Sequence, residues 1–364
     1  MKKDDIQREA LEITDGKQKC GIVLATGMGK TRLGLDHMDR NTTPLMKCLV
    51  VASKKSIFKS WKDEAVKANK EFLLGRIVFT TYLSLKKHNP ADYDVVYLDE
   101  CHNLLDSHRL FLEKYKGKVL GLTGTPPKYA KSEKGRLVNE FCPIVYTYVT
   151  DKAVENNILN DYQIIIHKIK LDARKNLVVK LKKGSFMASE KQNYDYWSDR
   201  ISKGIGPAHI TRVMRMKAMM EYPTKEKYTK LLMTHIKSKC IVFANTQDQA
   251  DRLCHYSYHS NNPKSEDNLE LFKEGTIKQL STVMQLNEGV NIPDLKQGII
   301  MHAYGNERKA QQRLGRLLRL NPNDKAIVHI LCYQDTVDEK WVNEALENLD
   351  QSKISWEDFN VDLD

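Results

Sequence analysis

The sequence predicts an α/β protein with two tandem domains, each built on a parallel sheet that is covered by helices. Short apolar segments alternate with amphipathic ones over the first 150 residues, and the same alternation resumes near residue 237. This alternation is typical of strand–helix units with parallel strands. A chain of 364 residues is also long enough for two or three domains.

Five short apolar segments in the first domain, 1–150, are predicted strands. Each is rich in Val, Ile or Leu and is followed by polar or glycine-containing residues. They are KCGIVLAT (19–26), KCLVVAS (47–53), RIVFTTY (76–82), DVVYLDE (94–100) and KVLGLTG (118–124). The amphipathic segment 55–69 predicts one of the intervening helices.

The second domain is predicted over 237–349. Its strands are KCIVFANT (239–246), QLSTVMQL (279–286), GIIMHAY (298–304) and KAIVHILCY (325–333). A connector over 151–236 separates the two domains and leads into the second one. It contains an extended segment, 162–171, and a basic and aromatic helical insertion, 172–206. Residues 350–364 read as an acidic tail.

Charge and composition narrow the class of protein. The net charge of +11 favours a polyanionic partner, usually nucleic acid, although general solubility would also account for it. No apolar segment is long enough to cross a bilayer, and the N-terminus has no secretory apolar core. We therefore expect a cytoplasmic protein, in the host cytoplasm if the source is a virus, with no membrane partner. Seven cysteines without a CxxC pair argue against a disulfide framework or a structural zinc site.

The segment VLATGMGKTRLGL, 23–35, predicts a phosphate-binding loop. An apolar strand is followed by a glycine-rich turn, then by Lys30 and Thr31, and then by a helix. Glycines let the backbone approach an anion, and the helix N-terminus supplies partial positive charge. Lys30 can reach the β- and γ-phosphates, and the Thr31 hydroxyl can hold Mg²⁺. The first glycine of the longer GxxxxGK[ST] pattern is Leu24, but the shorter TGxGKT form is complete.

The segment VVYLDECH, 95–102, places two acids at the end of another predicted strand. With a phosphate loop upstream, Asp99 is suited to hold Mg²⁺ and Glu100 to orient and deprotonate an attacking water. A solvated acid pair is the alternative. A metal site at Cys101 and His102 is disfavoured, because adjacent residues are poorly spaced as ligands on one element.

Two further segments carry polar side chains suited to a nucleotide site. GLTGTPP, 121–127, ends a third strand with Thr123 and Thr125. QQRLGRLLR, 311–319, has arginines three residues apart on a predicted helix, where they lie near one another. They form either an exposed basic face or a set of γ-phosphate contacts that the second domain supplies.

ATGMGKT, DECH, LTGTP and QQRLGRLLR, in that order, resemble motifs I, II, III and VI of superfamily 2 helicases and translocases. The resemblance points to the group of XPB-like, type III restriction motor and phage UvsW-type helicases. It implies two RecA-like domains in tandem with an ATP cleft between them. It also implies ATP and Mg²⁺ as cofactors.

The resemblance assigns expected roles to individual residues. Lys30, Asp99, Glu100, Gln312, Arg316 and Arg319 would be catalytic, with Thr31 and Asp99 on Mg²⁺. Gln7, Thr26, Gly27, Met28, Gly29, Lys30, Thr31, Glu288, Gly289 and Asn291 would bind the nucleotide. His102, Thr123 and Thr125 would couple the nucleotide site to motion, and Ser53, Thr80, Thr81 and Thr246 would contact nucleic-acid phosphates.

We expect an ATP-dependent DNA helicase or translocase, acting as a monomer on DNA that includes branched forms. The motifs leave open an RNA helicase, the motor subunit of a larger complex, and a nucleotide-switched clamp that never separates strands. A metal-dependent enzyme is the most distant alternative.

The role of the insertion, 172–206, is also open. It contains three lysines near three aromatic residues: Lys180, Lys182, Lys183, Tyr194, Tyr196 and Trp197. This combination suits a platform for single-stranded nucleic acid. The interpretation we favour is that the aromatic side chains pack on the second domain and the lysines are solvated.

Overall fold

A computed structural model describes residues 2–127, 129–180, 184–283, 292–303, 325–347 and 349–359. These residues form two compact units, which divide between residues 161 and 162. Across the described ranges, no helix has the length and apolar character that crossing a membrane requires. The two units are described separately below.

The first unit is built on a six-stranded sheet. Its strands are β1 (Lys19–Leu24), β2 (Cys48–Ala52), β3 (Ile77–Thr81), β4 (Val95–Asp99), β5 (Lys118–Thr123) and β6 (Ile144–Tyr148). They lie in the order β3-β2-β4-β5-β1-β6, and every neighbouring pair is parallel. The polar residues that follow β1, β4 and β5 therefore meet at the same edge of the sheet, which is where a parallel sheet places its ligands.

The described residues of this unit include six α-helices. They are α1 (Lys3–Thr14), α2 (Lys30–Asn41), α3 (Ser56–Lys67), α4 (Arg109–Lys114), α5 (Glu133–Phe141) and α6 (Thr150–Glu155). Buried residues on α3 recur at Ile57, Trp61 and Ala65, a spacing of four that gives the helix one apolar face. The helix predicted over 55–69 is thus confirmed and packs by that face.

The second unit contains a seven-stranded sheet in the order β11-β12-β10-β13-β14-β7-β15. Its strands are β7 (Asp161–Ile169), β10 (Cys240–Ala244), β11 (Ser257–Tyr258), β12 (Gln279–Val283), β13 (Gln297–Ile300), β14 (Lys325–Tyr333) and β15 (Ile354–Asp358). A separate antiparallel hairpin is formed by β8 (Leu177–Lys180) and β9 (Ser185–Ala188). The helices are α7 (Glu190–Ser202), α8 (Ala208–Met220), α9 (Pro223–His235), α10 (Gln247–Leu253), α11 (Ser265–Glu274) and α12 (Val337–Leu346).

The nine strands predicted in the two domains are all present, within a few residues of the expected bounds. Two segments form strands of the second sheet, whereas the sequence predicted a connector for one and a tail for the other. The extended segment 162–171 forms β7 inside the second sheet, and the segment read as an acidic tail contains β15, which pairs parallel with β7. The apolar Ile164 and Ile166 of β7 are fully buried, so this strand belongs to a core rather than to a connector.

The second sheet contains a buried pair of histidines. His167 Nε2 lies 2.9 Å from His329 Nδ1, and His329 Nε2 lies 3.1 Å from Gln297 Oε1. Burial lowers the pKa of His329 to about 4, with a smaller contribution from His167. Burial also lowers the pKa of His167. Both rings are therefore neutral in the folded protein at neutral pH.

We expect acid to destabilise the protein through His329. Its unfolded side chain binds a proton near pH 6.5, whereas the folded one does so only near pH 4. The free energy of unfolding should therefore fall as the pH drops from about 6.5 to about 4, by up to about 3 kcal/mol from this group. Urea denaturation at a series of pH values tests this, with His329→Gln as the comparison. An equally steep acid dependence in that variant would contradict the assignment.

Candidate active site

The loop between β1 and α2 has the geometry of an anion site. Gly27 and Gly29 have φ values of 96° and 80°, which an L side chain rarely adopts. Gly29 is the N-cap of α2, and no side chain caps the helix there. The first backbone amides of α2 are thus available to an anion at the positive end of the helix dipole. Lys30 and Thr31 open the helix at this point, as the sequence predicts.

Gln7 on α1 is held against the same loop. Its side-chain nitrogen donates to the carbonyl oxygens of Met28, at 2.8 Å, and of Gly29, at 3.3 Å. Lys3 Nζ donates to the Gly27 carbonyl oxygen at 3.3 Å. A Cβ on Gly29 would lie 2.5 Å from the Gln7 amide nitrogen, so a glycine is required for this contact. The structure thus places Gln7 against this loop, and its role in binding the nucleotide stays a prediction.

Glu100 lies at the centre of a polar cluster at the ends of β4 and β5. Lys30 Nζ is 3.5 Å from its Oε1. The Thr123 hydroxyl donates to Oε2 at 3.2 Å, and His102 Nδ1 lies 2.8 Å from the Thr123 hydroxyl oxygen. Glu100 has a φ of 52°, uncommon for a residue with a side chain and typical of functional sites. The structure thus brings Lys30 of motif I close to Glu100 of motif II, which lies 70 positions later in the chain. Thr123 of motif III contacts the same carboxylate.

Burial opposes ionisation of the Glu100 carboxyl, but its neighbours outweigh burial. Lys30, His102, the Thr123 hydroxyl and the Gly124 amide together hold the pKa of Glu100 below its usual value. The carboxylate is therefore ionised at neutral pH and has an oxygen available as a proton acceptor. Gly124 makes room for this arrangement, since a Cβ there would lie 3.0 Å from Lys30 Nζ.

Asp99 is positioned by groups that the sequence did not reveal. The Trp61 indole N–H donates to Asp99 Oδ2 at 2.8 Å, and the Tyr82 hydroxyl donates to the Asp99 carbonyl oxygen at 3.0 Å. Trp61 is fully buried and also packs against Gly34 of α2, where a Cβ would lie 2.5 Å from the indole ring. Trp61 thus connects α3, the helix after the phosphate loop and the acidic strand end.

Thr125 completes the cluster from the motif III segment. Its backbone amide donates to the Thr123 hydroxyl at 3.1 Å. The Thr125 hydroxyl is buried, and within the described part of the chain it has no hydrogen-bond partner. Buried polar atoms are rarely left unpaired, so this hydroxyl is suited to a ligand group.

Cys101 follows Glu100 but points into the protein core. It belongs to a buried apolar cluster that also contains Cys142, and both cysteine side chains lie close to Gly121. Contact with Cys142 and burial raise the pKa of Cys101 well above its usual value. Its thiol is therefore protonated at neutral pH and forms part of the apolar core.

The four residues predicted to contact nucleic acid lie at strand ends. Ser53 follows β2, Thr80 and Thr81 end β3, and Thr246 follows β10. The Thr80 side chain is only 4% exposed, and its hydroxyl lies 2.9 Å from His88 Nε2. Thr81 is partly exposed and donates to Ser84, while Thr246 caps α10 through Gln249. Thr81 is therefore the more accessible of the two β3 threonines.

Six predicted site residues lie outside the described residues: Glu288, Gly289, Asn291, Gln312, Arg316 and Arg319. Their roles remain predictions from the resemblance.

Two family models match the chain, and together they span more than half of it. "Type III restriction enzyme, res subunit" matches residues 1–128, and "Helicase conserved C-terminal domain" matches residues 224–321. The first covers the phosphate loop and the Asp99–Glu100 strand end, and the second covers the QQRLGRLLR segment. The chain belongs to superfamily 2 of the helicases and translocases. As a superfamily 2 protein it is an ATP-using enzyme, an ATPase of helicase type.

A curated relative of this superfamily 2 chain is similar over most of its length. It is the "DNA 3'-5' translocase XPB2" of Sulfurisphaera tokodaii, 24% identical over 374 aligned positions that cover 90% of this chain and 81% of the relative.

Solved structures agree on the fold. The Pyrococcus furiosus Hef helicase domain matches with a TM-score of 0.50 and 15% identity, over 93% of this chain and 96% of that one. Saccharomyces cerevisiae Dbp5 bound to RNA and ADP BeF3 matches with a TM-score of 0.60 and 13% identity, over 98% and 90%. The superfamily 2 chain accordingly has two tandem RecA-like domains.

Proposed function

We propose that this chain is an ATP-dependent DNA translocase or helicase whose hydrolytic site is built from Lys30, Asp99 and Glu100. The observation that carries the proposal is the buried cluster in which Lys30, Thr123 and His102 surround an ionised Glu100. DNA is favoured over RNA because the curated relative is named a DNA translocase. The same name makes 3'-to-5' movement the direction to test first.

The residues present are suited to ATP with Mg²⁺. Uncapped amides at the start of α2, Lys30, and the Thr31 hydroxyl suit phosphate groups, while the oxygens of Thr31 and Asp99 suit a hard cation. The unpaired Thr125 hydroxyl offers a further contact. When bound, Mg²⁺ neutralises charge on the β- and γ-phosphates.

Lys30 and Glu100 exchange partners during the cycle. In the structure the two side chains face each other at 3.5 Å. When ATP binds, Lys30 turns to its phosphates, and the freed Oε1 of Glu100 accepts a proton from the attacking water. Oε2 stays fixed by Thr123 and by the Gly124 amide, so the carboxylate keeps its orientation. His102 lies close to both Glu100 and Thr123, so it can link a change at Glu100 to the segment that follows Thr123.

The proposal is tested by measuring ATP hydrolysis alone and with single-stranded DNA, duplex DNA, forked DNA and RNA. We expect strong stimulation by DNA and little by RNA. Preferential stimulation by RNA would indicate an RNA helicase instead. Strand separation on forked DNA then distinguishes a helicase from a translocase or a nucleotide-switched clamp.

We expect Trp61→Phe to raise the Mg²⁺ concentration at the midpoint of nucleotide binding by about tenfold. This is the lower end of the range for residues that orient a metal ligand. Phenylalanine keeps an aromatic ring beside Gly34 but cannot donate to Asp99 Oδ2. A Mg²⁺ titration of fluorescent ATP-analogue binding measures the effect without relying on turnover. Trp356→Phe, at a partly exposed position on β15, is the control. An unchanged Mg²⁺ midpoint in Trp61→Phe would mean that the indole only packs.

A further inference from the structure

We infer that residues 172–220, which we name the arm, form a DNA-binding surface of their own, separate from the helicase motifs. This inference rests on the proposed DNA function. The arm comprises the β8–β9 hairpin and the helices α7 and α8. Four observations carry the inference: its charge, the pairing of its acids, its exposed aromatic side chains, and its fixed base.

The positive charge of the chain is concentrated in the arm. It has eleven Lys or Arg residues against four Asp or Glu, a net charge of +7 in 49 residues. The other 315 residues share the remaining +4 of the chain's +11. A basic patch of this density attracts the phosphate backbone of nucleic acid at long range.

Three of the four acidic residues of the arm are paired with basic residues of the arm itself. Asp172 pairs with Arg174, Asp195 with Lys191, and Asp199 with Lys203, at N–O distances of 2.7 to 2.9 Å. Glu190 is fully buried. By contrast, Lys175, Arg212 and Lys217 are exposed, and among the described residues none of the three has an ion-pair partner. These three side chains are therefore available to phosphates.

Aromatic side chains lie exposed on the same arm. Phe186 on β9 is 50% exposed, and Tyr196 on α7 is 53% exposed. The Arg200 guanidinium lies 5.7 Å from the Tyr196 ring centroid and extends the flat surface. Exposed rings beside cations provide a stacking surface for unpaired bases that is independent of sequence. Tyr194 differs, because its hydroxyl accepts from the Val337 amide and its ring packs in a buried cluster, as favoured for the aromatics of this region.

The base of the arm is fixed to the second unit by buried polar contacts. Glu190 Oε1 accepts from the Thr224 amide at 2.8 Å, and its Oε2 accepts from the Asp172 amide at 3.1 Å. The Tyr222 hydroxyl donates to Asn193 Oδ1 at 2.9 Å. These contacts hold the base of the arm in place before the ligand binds, which lowers the entropic cost of binding.

The outer face of α8 also contains Ile210, Val213 and Met214, each 41% to 49% exposed. Such a stripe could receive an acidic helix of a protein, but the net charge and the exposed rings favour DNA. The two occupants make different predictions for purified protein with DNA alone.

The first test is the paired reversal Arg212→Glu with Lys217→Glu. We expect about tenfold weaker DNA binding and a log–log salt dependence that is shallower by about 2, since each phosphate contact contributes about 0.9 to the slope. The control is Lys264→Glu with Lys340→Glu, which makes the same charge change on exposed residues of the same unit outside the arm. ATP hydrolysis without DNA should be unchanged in both.

The second test is Phe186→Ala, which should weaken single-stranded DNA binding about fivefold without altering the salt slope, because stacking involves no counterion release. Val178→Ala, at an exposed position on the neighbouring strand, is the control.

If wild-type protein binds DNA and both arm variants bind like their controls, the arm inference is overturned, an acidic protein becomes its favoured occupant, and the proposed function stands. If wild-type protein itself neither binds DNA nor is stimulated by it, the proposed function fails, and the arm inference fails with it.

Discussion

Glu100→Gln is expected to lower the rate of ATP hydrolysis by about 10³-fold while leaving ATP binding in place. Glutamine has nearly the shape of glutamate and keeps an oxygen that can accept from Thr123 and Gly124. It cannot accept a proton from water, so the nucleotide should be trapped uncleaved. Single-turnover hydrolysis and fluorescent-nucleotide binding, measured on the same preparation, separate the two effects.

The control for this variant is Glu113→Gln, which removes an exposed carboxylate that pairs with Arg109. It should hydrolyse ATP like the wild type. Two outcomes would contradict the role of Glu100: hydrolysis near the wild-type rate, or the loss of nucleotide binding together with hydrolysis. The second would mean that the Lys30–Glu100 pair holds the loop in shape rather than serving the reaction.

Much of the first unit could be predicted from sequence because its signals are local. A buried parallel strand is a short apolar run, and β1, β2 and β4 are buried along nearly their whole lengths. The phosphate loop and the acidic strand end lie directly after such runs. Once the sheet is parallel, both must meet at one edge, and the Lys30–Glu100 contact follows from that geometry.

The role of Trp61 could not be predicted because its partner is 38 residues away. Its position on the apolar face of α3 predicts burial and nothing more, and only the crossing of α3 over the sheet brings the indole to Asp99. The burial of Thr80 was missed for a similar reason. Its hydroxyl is taken by His88, a residue beyond the strand and its following turn.

The strands β7 and β15, at one side of the second sheet, were harder to predict from sequence. The segment 162–171 is apolar and extended, but sequence alone does not say which sheet it joins. Its partner β15 comes nearly 200 residues later, in a segment whose acidic residues suggested a tail. Alternation favours the strand here, since Ile354 and Trp356 alternate with polar neighbours, but the run is too short to decide without its partner.

Lys30→Ala is expected to abolish ATP hydrolysis and to weaken ATP binding, because the ammonium is the loop's only side-chain charge directed at the phosphates in this proposal. The substitution should also lower activity through its effect on Glu100. Lys30 is the largest influence that lowers the pKa of Glu100 against its burial, so without Lys30 that pKa should rise. A rise in this pKa lowers the fraction of Glu100 that is ionised, and only the ionised form can accept a proton.

Lys67→Ala, at an exposed position on α3, is the matched control and should retain activity. ATP hydrolysis with and without DNA, together with nucleotide binding, measures the effect. If Lys30→Ala retained normal turnover, the phosphate loop would not be the nucleotide site. DNA binding by Lys30→Ala in the absence of ATP should remain at the wild-type level, since Lys30 lies against Glu100 and not at the surface. Loss of that binding would instead indicate that the substitution disturbs the fold of the first unit.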